Sequence, residues 1–82
     1  MTKEELAQKI YEAIGPEENI MDLTNCMTRV RVQLHKEPDD ATLKSIEGVL
    51  GVNHAGPELQ IILGPGKAQA IRILLEGLLE NS

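Results

Sequence analysis

This 82-residue sequence predicts an α+β fold: a four-stranded antiparallel sheet with three helices on one face, in the order α-β-β-α-β-β-α. Three observations predict it. Apolar residues recur at helical spacing near the start, in the middle and at the end of the chain. Within residues 28–34, Val30, Val32 and Leu34 alternate with Arg29, Arg31 and Gln33, the mark of a half-buried strand. The candidate strands come in adjacent pairs joined by short turns, which suits antiparallel pairing. Three amphipathic helices need an apolar surface to cover, and one face of the sheet supplies it.

The first helix starts where Thr2 and Glu5 have the spacing of a capping box. Leu6, Ile10 and Ile14 then form its apolar stripe, with Ala7 and Tyr11 beside them. Gly15-Pro16 ends it, the glycine as a left-handed cap and the proline as a block to continuation. Residues 19–25 read as a short strand. In residues 28–34, Val30, Val32 and Leu34 fall on one face and Arg29, Arg31 and Gln33 on the other. Between the two strands lie Asn25, Cys26 and Met27. Glu37-Pro38-Asp39-Asp40 is a turn that leads into a second helix capped by Asp39 or Asp40. Leu43, Ile46 and Leu50 make its buried face, and Gly48 and Gly51 loosen its end. Residues 52–55 and 59–63 read as a hairpin around Gly56-Pro57-Glu58. A last helix covers 67–79, with Ala68, Ile71, Leu74, Leu75 and Leu78 on its apolar face. No linker or internal repeat is evident, so residues 1–82 are expected to form one domain.

Composition narrows the function. Eight Lys and Arg against thirteen Asp and Glu give a net charge of −5, which argues against nucleic-acid binding. One Tyr and no Phe or Trp leave no platform for stacking bases. No apolar run reaches the roughly 18–20 residues of a membrane span, and the start of the sequence lacks the apolar stretch of a signal peptide. One cysteine makes no internal disulfide, so a reducing, cytosolic setting is expected.

That cysteine is the first candidate for chemistry. An isolated Cys is often a small buried apolar residue. Against that reading, Cys26 lies in a turn, where backbone N–H groups are available, and Arg29 and Arg31 follow at once. No acidic residue occurs from Leu23 to Lys36, although the chain as a whole is acidic. A nearby cation favours the thiolate, which is the nucleophile, and arginine suits phosphate. A solvated outer strand face explains the arginines equally well, so both readings stand on the residues alone.

Spacing excludes several alternatives. A C-x-x-C pair needs Cys where Arg29 stands, and a C-x5-R phosphatase loop needs Arg where Val32 stands. Cys26, His35 and His54 have no zinc-ligand spacing, and both histidines read as surface residues. Gly66-Lys67 resembles the end of a P-loop, but Ile61 and Ala68 occupy its other required positions. Gly64-Pro65-Gly66 is then a strand-to-helix turn, whose helix N-terminus is suited to an anion. No metal or cofactor is expected.

The run Asn25-Cys26-Met27-Thr28-Arg29-Val30-Arg31-Val32 closely resembles the phosphocysteine motif of IIB domains. These belong to the glucose–sucrose class of the bacterial phosphoenolpyruvate-dependent sugar phosphotransferase system, whose motif reads roughly (N/D)-(A/C)-C-(I/M/A)-T-R-L-R. Asn25 directly before Cys26, and Val30 in place of Leu, are mild departures. Glu18-Asn19-Ile20 resembles the family's lead into its first strand. The stretch from Leu43-Lys44 to Gly51-Val52 resembles its central helix. Leu59-Gln60-Ile61-Ile62-Leu63-Gly64 resembles its V-Q-x-I-x-G signature. The resemblance covers nearly the whole chain, and the family fold has the element order read above.

The resemblance implies a relay. A histidine-phosphorylated IIA protein or domain would phosphorylate Cys26, which would pass the group to a sugar held by a membrane-embedded IIC. Thr28 and the backbone N–H groups of Met27 to Arg29 would hold the phosphoryl oxygens. Arg29 and Arg31 would assist delivery to the sugar, and Met27 would belong to an apolar rim where IIA docks. Gly64-Pro65-Gly66-Lys67-Ala68 looks like the N-acetylmuramic-acid branch. The alternatives are a non-catalytic regulatory domain of the same fold, against which the intact Cys26, Thr28, Arg29 and Arg31 count, and a redox-sensing thiol, which lacks a resolving cysteine.

Overall fold

A computed structural model describes residues 1–81. Helix α1, Lys3–Ile14, begins with the expected capping box. The Glu5 amide donates to Thr2 Oγ1 at 3.1 Å and the Thr2 amide to the Glu5 carboxylate at 3.0 Å. Leu6, Ala7, Ile10 and Ile14 are its buried stripe. Gly15 closes the helix differently from the expected left-handed cap. Its backbone is extended, with φ −68°. A Cβ there would sit 2.8 Å from the Tyr11 carbonyl oxygen, so close backbone approach is what calls for glycine.

A 3-10 turn, Glu17–Asn19, precedes strand β1, Ile20–Asn25. Asn19 ties three segments together: its Nδ2 donates to the carbonyls of Ile14 and Lys36, and its Oδ1 accepts from the Lys36 amide. Strand β2, Arg29–Leu34, returns antiparallel to β1. Helix α2, Asp40–Lys44, is capped by Asp39, whose Oδ1 accepts from the Ala41 amide at 3.0 Å. It is shorter than its apolar spacing predicts. It buries Leu43 and packs Ile46 against the core from the following turn, but Leu50 is 71% exposed. The reason is that Leu50 already lies at the sheet edge, its amide donating to the Ile62 carbonyl. Strands β3, Gly51–Ala55, and β4, Glu58–Ile62, form the expected hairpin, and helix α3 spans Ala68–Glu80.

All strand pairs are antiparallel, in the order β1-β2-β4-β3. The second hairpin therefore inserts β4 beside β2, which makes β2 and β4 the two central strands. Val30, Val32, Leu59 and Ile61 from these strands meet Leu6, Ile10, Ile14, Leu43, Ile71 and Leu75 from the helices in one aliphatic core. Each such side chain contributes roughly 1.5–3 kcal/mol when fully buried. Helices α1 and α3 pack on each other, and α3 also packs on β1 and β2. The helices occupy one face, and the other face of the sheet is left open. Among the described residues no helix is long and apolar enough to cross a membrane.

Candidate functional site

Cys26, Met27 and Thr28 form the turn between β1 and β2, and Arg29 opens β2. The turn is held at both ends. The Cys26 amide donates to the Arg29 carbonyl at 2.9 Å. The Thr28 carbonyl accepts from the amides of Leu63 and Gly64 at 2.9 and 3.1 Å, which fixes the end of β4 against the turn. Asn25 braces it from behind. Its Nδ2 donates to the Cys26 carbonyl at 3.0 Å, and its Oδ1 accepts from Arg72 Nε of α3 at 2.8 Å. Arg72 is itself paired with Glu76, one turn along the helix.

The thiol sits partly buried in this frame. Its pKa is lowered from 9.0 to about 7. The Thr28 amide is the largest cause; the Arg29 amide, the Thr28 hydroxyl and the Arg31 guanidinium act in the same direction, and partial burial opposes them. A larger share of the group is therefore thiolate near neutral pH than the few per cent of an ordinary cysteine. The Thr28 hydroxyl lies 4.0 Å from the sulfur. Met27 is 81% exposed beside it. An open cleft of about 480 Å³ lies over the sulfur, lined by Asn25, Cys26, Met27, Gly66 and Gln69. The start of α3 thus borders the cysteine, and its first turn carries no acidic residue.

The two arginines behave differently. Arg31 lies opposite Thr24, two residues before Cys26, where its charge favours the thiolate, and it pairs with Glu58 Oε2 at 2.8 Å. Arg29 donates instead to Gln60 Oε1 at 2.7 Å. Glu58 and Gln60 belong to β4, where the register sets Gln60 opposite Arg31 and Glu58 opposite Gln33. The segment around Cys26 is acid-free in sequence, yet the fold brings Glu58 to it across the sheet. Charge along the chain does not reveal this. The alternation of Glu58 and Gln60 with Leu59 and Ile61 does mark a second polar face, but only strand order joins it to Arg29 and Arg31. Asn25 and Arg72 also support the turn, and the 47-residue separation of that pair hid it. His35 and His54 are exposed, as expected. His54 faces Asp40 at 2.9 Å, away from the cysteine turn. Among the described residues no cluster of three or more His, Cys, Asp or Glu is arranged to hold a metal.

Comparison with known proteins agrees with this geometry. Residues 8–40 match the family described as phosphotransferase system, EIIB. The chain is 49% identical over 65 residues, 77% of its length, to the N-acetylmuramic acid-specific EIIBC component of Pasteurella multocida. It is 43% identical over 74 residues, 87% of its length, to the MurNAc-GlcNAc-specific EIIBC component of Staphylococcus aureus. It spans only 14% and 15% of those two proteins. Among solved structures, one domain of the PTS system IIabc component from Clostridium difficile superposes with a TM-score of 0.76 and 30% identity, covering 96% of this chain and 80% of that one. With its fold, its cysteine turn and these relatives in agreement, the chain belongs to the EIIB family of the phosphotransferase system.

Proposed function

We propose that Cys26 is a phosphoryl carrier in sugar uptake. It accepts the group from a phosphohistidine on a IIA partner and passes it to a sugar bound by a membrane-embedded IIC. In the first step the Cys26 thiolate attacks phosphorus, an S–P bond forms and the N–P bond of phosphohistidine breaks; the departing ring nitrogen takes up a proton, the one the thiol gave to solvent, and leaves neutral imidazole on IIA. In the second step a sugar hydroxyl oxygen attacks phosphorus, the S–P bond breaks, the thiolate is regenerated and the hydroxyl proton is released. The observation that carries this reading is a thiol with pKa about 7 held in a turn of N–H donors, open to a cleft and next to Arg31.

Phosphoryl transfer depends mainly on positioning and on charge stabilisation. The amides of Met27, Thr28 and Arg29 and the Thr28 hydroxyl are suited to the phosphoryl oxygens. Arg31 supports the charge that develops on them, and Arg29 acts when the sugar arrives. Met27 offers an apolar contact for IIA. The names of the relatives support N-acetylmuramic acid as the sugar class and a IIC domain as the partner. They also support a working position at the cytoplasmic face of the membrane, with residues 1–82 as the IIB domain. The test is incubation with phosphoenolpyruvate, the general phosphotransferase proteins and a IIA, followed by mass spectrometry of the cysteine. An S-phosphate on Cys26 that discharges to N-acetylmuramic acid in IIC-containing membranes is expected. No label from any IIA would favour a regulatory domain of the same fold.

A further inference from the structure

We infer that Glu58 keeps the phosphoryl group on Cys26 transferable, by sharing Arg31 between its own carboxylate and the sulfur. The inference rests on the phosphocysteine reading above. Its geometry is a polar network on the open face of the sheet. Glu58 Oε2 accepts from Arg31 Nη1 and from Gln60 Nε2, each at 2.8 Å. Gln60 Oε1 accepts from Arg29 Nη1 at 2.7 Å and from Asn53 Nδ2 at 3.2 Å. Gln60 is only 5% exposed, so its amide is locked in this network. Arginine only donates, so Gln60 must turn its oxygen to Arg29 and its nitrogen to Glu58. That orientation suits an ionised carboxylate at 58. The Gln60 amide, then Arg31, hold the Glu58 carboxyl below its usual range.

Arg31 is therefore held by the carboxylate at 58 while it faces the cysteine turn: its partner across β1 and β2 is Thr24, two residues before Cys26 and on the same side of the sheet. A phosphoryl group on Cys26 adds further negative charge at that turn. An arginine free to commit itself wholly to that group would stabilise phosphocysteine, and a relay intermediate must give the group up again. Glu58 retains part of the guanidinium and places a negative charge across from the phosphoryl oxygens. Both effects raise the free energy of phosphocysteine. The other charged groups around the turn do not duplicate this arrangement. Arg29 is engaged by Gln60 on the same face, and Arg72 approaches from α3 through Asn25, already paired with Glu76.

Glu58→Gln isolates the charge. Both hydrogen bonds at 58 end on one oxygen, so an amide oxygen in that place accepts both. In a mixture with phosphorylated IIA, the variant is expected to shift the equilibrium toward phosphocysteine by roughly two- to fivefold, the scale of a partly exposed ion pair. Discharge to sugar slows by a similar factor. The midpoint pH for alkylation of Cys26 by iodoacetamide moves below that of the natural protein. An unchanged or smaller phosphocysteine fraction in a folded variant, or an alkylation midpoint that stays put or rises, would overturn the inference. A purely structural role for Glu58 predicts the rise, because Arg31 would be set loose. If no IIA phosphorylates the natural protein, the phosphocysteine reading fails on its own account. The alkylation midpoint still judges the Glu58–Arg31–Cys26 coupling, because it needs no phosphoryl donor.

Discussion

The two faces of strands β2 and β4 carry residues one position apart that serve opposite ends. Toward the helices, Val30, Val32, Leu59 and Ile61 are fully buried and aliphatic. Toward the open side, Arg29, Arg31, Glu58 and Gln60 form a hydrogen-bonded network joined to the cysteine turn. The period of two lets a chain this small interleave stability and chemistry along the same backbone. Stability is cooperative among the aliphatic residues and tolerates no polar group there. The network on the other face depends on the direction of each donor. A substitution on one face should therefore leave the property of the other face largely alone.

The largest effects are expected from Cys26 and Ile61, in different assays. Cys26→Ser should lose all phosphoryl acceptance from IIA, because a serine hydroxyl is not ionised near neutral pH. Its thermal unfolding midpoint should stay at that of the natural protein, as scanning calorimetry would show. Ile61→Ala should do the reverse. It leaves a cavity under the sheet and costs about 2–5 kcal/mol in urea titrations, while Cys26 in the folded fraction is still phosphorylated. The neighbouring Gln60→Ala should cost only about 1 kcal/mol. Its main effect is slower delivery to the sugar, because Arg29 loses its acceptor. Equal stability losses at 60 and 61 would contradict the division between the faces.

The aliphatic face was legible because periodicity alone reports it. Val30 and Val32, the stripe of α1, and Ile71 and Leu75 of α3 could all be assigned without knowing what they touch. The element order followed from the same signal, and antiparallel pairing from the adjacency of the strands and their short turns. The candidate turn was legible through local neighbours, since Cys26, Thr28, Arg29 and Arg31 lie within six positions. What stayed hidden is non-local. Glu58 meets Arg31 only because β4 inserts beside β2, and Arg72 meets Asn25 only because α3 packs across β1 and β2. The extent of α2 was hidden for another reason. Leu50 has helical spacing from Leu43 and Ile46, but pairing with Ile62 at the sheet edge outweighs the continuation of a short helix.

Gly64 lies between the faces, where β4 ends and meets the turn. Its φ of +88° is left-handed, and a Cβ there would meet Leu50 Cδ1 at 3.3 Å. Gly64→Ala should cost about 1–2 kcal/mol from the backbone alone. Because the Gly64 amide binds the Thr28 carbonyl, the same change should also disturb the turn. Slower alkylation of Cys26 at pH 7, along with lower stability, would show that this position belongs to both faces. Lower stability with an unchanged alkylation rate would assign it to the core alone.

The pH dependence of alkylation separates the amides from the guanidinium. In the natural protein the rate should rise through a midpoint near 7, since the thiol is unreactive below it and thiolate above it. Arg31→Gln removes a cation that favours the thiolate, so the midpoint should move up. It should cover only part of the way back to 9.0, because the Thr28 amide is the larger cause and is untouched. A full return would make Arg31, rather than the turn, the main source of the reactive thiol.

The smallest effect is expected at the rim of the polar network. Asn53 donates to Gln60 Oε1 at 3.2 Å from the edge strand β3, whereas Arg29 donates to the same oxygen at 2.7 Å. Removing the weaker donor leaves the oxygen satisfied, so no buried acceptor is orphaned. Asn53→Ala should therefore cost about 0.5 kcal/mol or less, with phosphoryl transfer to sugar reduced less than twofold. A loss in transfer comparable to that of Gln60→Ala would mean that Asn53, rather than the buried amide itself, sets where Arg29 points. The polar face would then be held from the sheet edge inward and not from β4 outward.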